Sequence, residues 1–204
     1  MAPGITHIDL LASLDVQAGE VFCGALDSPV NTEGMKALKK AVRRRSDWDC
    51  VFSSPLQRCA AFGDWISTRH HIPLTLEAGF DEMNFGSWEG RLPHEIMQQD
   101  HETLIRWWQD PASVCPPGGE SWQAFRQRVL TAWQALLDTN PERTVLLVTH
   151  PGVVRLLVLE VLRAPSSAFF AIQVEPGVLT RIRVAREEAD SGDSWATLVS
   201  LGCG

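Results

Sequence analysis

At 204 residues, with 45% hydrophobic and 21% charged residues, the chain has the size and composition of one folded domain rather than of a disordered or low-complexity segment. Eighteen Lys and Arg against twenty-five Asp and Glu leave a net charge of −7, which argues against a general binder of nucleic acid or anionic membranes but leaves room for a local cationic pocket. No run approaches the roughly 18 apolar residues of a membrane span, Met1-Ala2-Pro3-Gly4 does not begin a secretory signal, and five cysteines without a CxxC pair suit reduced thiols in a cytoplasmic protein.

In chain order, Ile5 to Leu11 is a short, largely apolar run that predicts a buried strand. Asn31-Thr32-Glu33 offers an N-cap, Met35, Leu38 and Val42 continue with apolar helical spacing, and Arg43-Arg44-Arg45 closes the helix where the macrodipole favours cations. Asp49 to Ser53 reads as a second strand, with Pro55 in the first turn of the next helix. Pro73 to Leu76 is a short strand before an acidic loop. Leu92 to Gln109 reads as a helical stretch carrying Ile96, Met97, Leu104, Ile105, Trp107 and Trp108, ended by Pro111 and the Pro116-Pro117-Gly118-Gly119 loop. Ser121 can cap a long helix with Phe125, Val129, Trp133, Leu136 and Leu137 on one face.

Thr144 to Thr149 is a β-branched run suited to burial on both faces, followed by a helix from Val153 to Leu162. Phe169 to Val174 and Leu179 to Val184 read as a hairpin about Pro176-Gly177, and Trp195 to Leu201 as an edge strand. Alternating strands and helices predict a three-layer α/β/α sandwich on a mostly parallel sheet. One domain spans residues 1–204, with a small helical cap inserted at about 92–121.

Ligand-binding groups in open α/β sheets gather beyond the carboxyl ends of the strands. Ala12 and Ser13 follow the first strand, Arg58 lies in the first turn after the second, and His150 ends the Thr144 strand; Glu82 lies in the acidic loop. A guanidinium suits a phosphoryl group because its planar fork donates two parallel hydrogen bonds, and helix N-termini add unpaired N–H groups. Taken singly, Arg58 reads as an exposed helix residue, Glu82 as a solvated acid and His150 as a structural histidine. Their motifs reverse that preference.

Those motifs are Ser53-Ser54-Pro55-Leu56-Gln57-Arg58, Asp81-Glu82-Met83-Asn84-Phe85-Gly86-Ser87-Trp88-Glu89-Gly90 and Val148-Thr149-His150-Pro151-Gly152-Val153-Val154-Arg155. Together they resemble the histidine phosphatase (phosphoglycerate mutase-like) superfamily, most closely its α-ribazole phosphatases. Pro117-Gly118-Gly119-Glu120-Ser121, Phe125-Arg126-Gln127-Arg128-Val129 and Ile96-Met97-Gln98-Gln99-Asp100 look like the same subfamily, so the resemblance runs from about Ile5 to Val184. It implies a phosphomonoester hydrolase of cobalamin synthesis acting on α-ribazole 5′-phosphate. Glu82 would then donate a proton to the leaving oxygen, and Arg58 and His150 would hold the phosphoryl group. The implied partner is a small phosphorylated, nucleoside-like molecule, with no nucleic acid, membrane, cofactor or metal, and a homodimer is a compatible assembly. Trp107 and Trp108 could line the substrate face of the cap, although core packing suits at least one of them. His70-His71 and the pair His94 and His101 lack the spacing of a metal site.

The family opens with Arg-His-Gly after its first strand, and its His accepts the phosphoryl group. Here Ala12-Ser13-Leu14 stands in that place. Ser13 is a weak nucleophile without an activating base, Ala12 removes a guanidinium, Leu14 adds bulk where a backbone would approach the ligand, and Pro151 offers no N–H. Three readings stay open: an impaired or inactive phosphomonoesterase, a non-catalytic protein binding a phospho-ligand or partner, and a Ser13/His150 hydrolase.

Overall fold

The computed structural model describes residues 4–13, 21–43, 45, 47–175, 177–186 and 194–203. The strands are β1 (Gly4–Ala12), β2 (Cys50–Ser53), β3 (Leu74–Leu76), β4 (Thr144–Thr149), β5 (Leu179–Arg186) and β6 (Ser194–Cys203), in one sheet of order β3-β2-β4-β1-β5-β6. The β3–β2, β2–β4 and β4–β1 pairs are parallel, whereas β5 runs antiparallel to both β1 and β6. The helices are α1 (Thr32–Ala41), α2 (Gln57–His70), α3 (Pro93–Gln99), α4 (His101–Gln109), α5 (Trp122–Thr139) and α6 (Pro151–Leu162).

Strand alternation sorts the core into two faces. Ile8, Leu10 and Ala12 of β1 and Val145 and Leu147 of β4 pack with Phe125 and Val129 of α5 and Val153 and Leu157 of α6. Leu11, Leu146 and Val148 point the other way, onto Leu38 of α1 and Phe62 and Ile66 of α2. Each layer thus follows from a period-two strand meeting apolar faces of period 3.6. The caps agree with the sequence: Asn31 Oδ1 accepts from the Gly34 amide at 2.8 Å, and Ser121 Oγ from the Ala124 amide at 3.2 Å.

Three local expectations are corrected. Phe169 to Val174 is not a strand: Ser166–Ala171 is a 3₁₀ helix, and both edges of β5 are already taken by β1 and β6. Phe169 instead packs edge-on against Trp122 and Phe170. Pro176 of the expected turn lies outside the described residues, as does Arg44. The stretch from Leu92 to Gln109 is two helices, because Asp100 leaves helical geometry at φ −144° and ψ 53°. Pro55 precedes α2, whose N-cap is Leu56, while Pro151 opens α6 at its first residue. Among the described residues no helix is long and apolar enough to cross a membrane.

Candidate active site

The parallel register sets the carboxyl ends of β1, β2 and β4 side by side, with Ala12 opposite Thr149 and Ser53 opposite Val148. The residue after each strand therefore enters one cleft. Arg58, in the first turn of α2, and His150, the N-cap of α6, meet there: the Arg58 Nε–H donates to His150 Nδ1 at 3.2 Å. That bond leaves the ring proton on Nε2, which donates to Ser54 Oγ at 2.9 Å, and the Ser54 hydroxyl donates to Asp81 Oδ1 at 2.5 Å. Burial, reinforced by Arg58 and Arg128, lowers the His150 pKa well below its ordinary 6.5, so the ring is neutral near pH 7.

The remaining guanidinium nitrogens of Arg58 are also engaged. One donates to Leu26 O at 2.7 Å and the other to Gly24 O at 2.6 Å, and the side chain is almost wholly buried. The segment carrying these carbonyls is held by Glu89, whose carboxylate accepts from the amides of Gly24 and Ala25 at 2.9 Å, Leu26 at 3.3 Å and Phe85 at 2.8 Å. Gly24 is required at this crossing, because a Cβ there would collide with the Met83 carbonyl.

Both helix N-termini beside the cleft are occupied by carboxylates of the chain. Asp27 accepts from the Gln57 amide at 2.7 Å at the start of α2. Glu82 accepts from the Gly152 amide at 2.8 Å at the start of α6, and from its neighbour Met83 at 2.9 Å. Burial raises the Glu82 pKa, and these two amides only partly offset it; a carboxyl held protonated to higher pH is suited to donating a proton. Arg128 of α5 fixes the acidic loop from below. It donates to Gly79 O, Asp81 O and Glu82 O at 3.1, 2.8 and 2.9 Å and pairs with Glu120.

Ser13 follows β1 in the cleft, its amide donating to Thr149 O at 2.8 Å. Its hydroxyl is buried with no hydrogen-bond partner among the described residues. It is the foremost influence opposing the burial that pushes the Cys59 thiol up to about 12, although the contact falls short of a hydrogen bond of good geometry. Cys59 Sγ itself lies 3.5 Å from His150 Nε2. Ala12 is buried in the core on the α5 and α6 side, and Leu14 lies outside the described residues.

The Ser13 and His150 side chains form no hydrogen bond to each other; both ring nitrogens of His150 are committed to Arg58 and Ser54. Trp107 is enclosed edge-on by Phe22, Phe85, Trp88 and Phe170 at centroid distances of 5.5, 5.6, 5.7 and 4.9 Å, so it packs in the core. Trp108 is half-buried against the same core. A cavity of about 430 Å³ opens beside the cleft between Asp81, Glu82, Asn84, Glu120 and Arg128; neither Arg58 nor His150 lines it.

Sequence reasoning brought Arg58, Glu82, His150 and Ser13 to one place but assigned no role to Ser54, Asp27, Glu89 or Arg128. Ser54, Glu89 and Arg128 stood inside the quoted motifs. Asp27 carried no local signal, since its partner is 30 residues away.

The model of the histidine phosphatase superfamily (branch 1) matches residues 13–193. An adenosylcobalamin/α-ribazole phosphatase of Escherichia coli is 26% identical over 187 residues, covering 91% of this chain and 90% of that protein. Phosphoserine phosphatase 1 of Hydrogenobacter thermophilus is 27% identical over 152 residues, covering 74% and 72%. The solved structure of an α-ribazole phosphatase from Shigella flexneri superposes with a TM-score of 0.78 at 24% identity over 97% of this chain and 96% of that one, a likeness of fold. With the cleft at the strand ends and a family match across most of its length, the chain belongs to the histidine phosphatase superfamily.

Proposed function

We propose that the chain is a phosphomonoesterase-lineage protein, similar to α-ribazole 5′-phosphate phosphatase, whose own turnover is impaired or absent. One observation carries the reading: the donors that would meet a phosphoryl group are satisfied within the chain, and the position after β1 offers a serine hydroxyl in place of an imidazole. Arg58 is spent on Gly24 O, Leu26 O and His150, and the N-termini of α2 and α6 on Asp27 and Glu82. Among the described residues Ser13 Oγ has no hydrogen-bond partner, and hence no activating base in reach.

Turnover in this family would need an in-line nucleophile, fixed donors for the equatorial oxygens and a proton for the leaving oxygen. Glu82 supplies the third. Neutral His150 and Arg58 retain the geometry for the second once the Gly24–Leu26 carbonyls give way. Among the described residues none is placed to supply the first, and loss of a nucleophile alone costs about three or more orders of magnitude in kcat. The Ser13/His150 hydrolase has no geometric support, because His150 Nε2 faces Ser54. The expected substrate class is a small phosphomonoester. Cytoplasmic residence belongs to the same proposal; Cys50, Cys59 and Cys115 as thiols support it.

The test is hydrolysis of an aryl phosphate and of α-ribazole 5′-phosphate by the chain and by a variant carrying Ala12→Arg, Ser13→His and Leu14→Gly. Phosphatase activity confined to the triple variant is expected. Robust turnover by the unaltered chain would overturn the proposal.

A further inference from the structure

All three lysines of the chain, Lys36, Lys39 and Lys40, lie on α1, and Arg43 follows at the next turn. The spacing of 36, 39, 40 and 43 is one helical face. That face forms a groove of about 580 Å³ with Trp65, Arg69 and His70 of α2. Arg45 completes the wall, but its charge is taken by Asp9 and Asp47. Lys36, Lys39, Lys40, Arg43 and Arg69 make no ion pair with a described carboxylate, and none of the described residues lining the groove is acidic. On a protein of net charge −7 this is a concentrated field of one sign.

Capping alone does not explain it. The macrodipole accounts for cations in the last turns of α1 and α2, which are Lys39, Lys40 and Arg69. It does not account for Lys36, nor for repeated like-charge neighbours at i, i+3 and i+4, which destabilise a helix. Trp65 forms an aromatic floor: Lys39 Nζ lies 4.6 Å and the Arg69 guanidinium 5.6 Å from its ring centroid. The groove is also remote from the cleft, since α2 rises about 16 Å between Arg58 and Arg69.

We infer that this groove is a second anion site, which takes a compact oligophosphate, either an inorganic chain or the polyphosphate tail of a nucleotide. A single phosphate would meet too few of the five cations that lack a described carboxylate partner. A long nucleic acid would extend beyond the groove over a chain of net charge −7. The volume is that of a small-molecule site, and several clustered phosphoryl groups match its charge.

The site is tested by isothermal titration of the full chain with tripolyphosphate, ATP and a short single-stranded oligonucleotide at low and physiological salt. The same titrations are made on a Lys36→Glu/Lys40→Glu variant, with Lys36→Gln/Lys40→Gln as the milder pair and thermal unfolding as the check on folding. Both lysines are exposed, so the fold should persist. Tripolyphosphate is expected to bind the parent chain and to bind the Glu variant at least about tenfold more weakly, with a salt-dependent affinity. ATP binding equal to tripolyphosphate marks recognition of the phosphate chain alone, and tighter ATP binding marks added stacking on Trp65; both support the site. No binding, equal binding by parent and variants, or an oligonucleotide that binds more tightly than tripolyphosphate would overturn it. None of these readouts depends on phosphatase activity.

Discussion

Arg58 and His150, 92 residues apart in the chain, share a hydrogen bond of 3.2 Å in which the cation is donor and the neutral imidazole acceptor. The geometry requires an unprotonated Nδ1, since a proton there would set two N–H donors against each other. The same bond orients Nε2 toward Ser54 and thereby fixes the tautomer of the whole cluster.

Stability should depend on pH through this ring. The native His150 pKa is depressed below 6.5, so below that pH the unfolded chain takes up a proton that the folded chain refuses. The ring's contribution is full above about pH 6.5 and is lost as pH falls toward the native value, at up to about 1.4 kcal/mol per pH unit. Glu82 and Asp81 act with opposite sign, because burial raises their pKa values and their contribution is lost as pH rises through them. Urea unfolding of the parent and of His150→Gln at pH 8 and pH 5.5 isolates the imidazole. The difference between the two proteins should shrink at the lower pH; a constant difference counts against a neutral buried ring.

Ser54→Ala removes the link between His150 Nε2–H and Asp81 Oδ1, leaving a buried donor and a half-buried carboxylate short of partners. A loss of about 1–3 kcal/mol in denaturant unfolding is expected. A loss below about 0.5 kcal/mol would mean that the relay adds nothing to the fold.

Glu89→Gln keeps the shape of the side chain but weakens its hold on four amides, at Gly24, Ala25, Leu26 and Phe85. The expected cost is about 1–3 kcal/mol. Amide hydrogen exchange should accelerate at Gly24, Ala25 and Leu26 in particular, because the same segment supplies the carbonyls that engage Arg58. Unchanged exchange there would separate Glu89 from the cleft.

Gly152→Ala tests the contact between α6 and the acidic loop. An added Cβ would run into the Glu82 carboxylate, which accepts from this residue's own amide. Displacing that carboxylate should cost about 1–3 kcal/mol and lower the melting temperature. Parent-like melting would show that the loop yields without penalty.

Much of this was legible in the residues. The buried run Thr144 to Thr149 became β4 to the residue, and Asn31 and Ser121 capped the helices assigned to them, because strand alternation and capping are decided by a few neighbouring side chains. The motif residues Arg58, Glu82 and His150 converged because each sits at a strand end or in a loop that the parallel sheet turns toward one edge. The false strand at Phe169 to Val174 had suitable residues but no free edge on β5, its expected partner, and which strand flanks which is decided only in three dimensions. Likewise Asp100 broke a helix whose apolar spacing ran through it.

The sequence by itself determined the layers, the family and the serine that follows the first strand, since these rest on local pattern and residue identity. Only the tertiary structure decided how the cleft's donors are used. Whether a guanidinium or a helix N-terminus remains open to a ligand depends on which distant carbonyl or carboxylate folds onto it. Gly24, Leu26, Asp27 and Glu82 reached those donors through packing between segments that share no local signal.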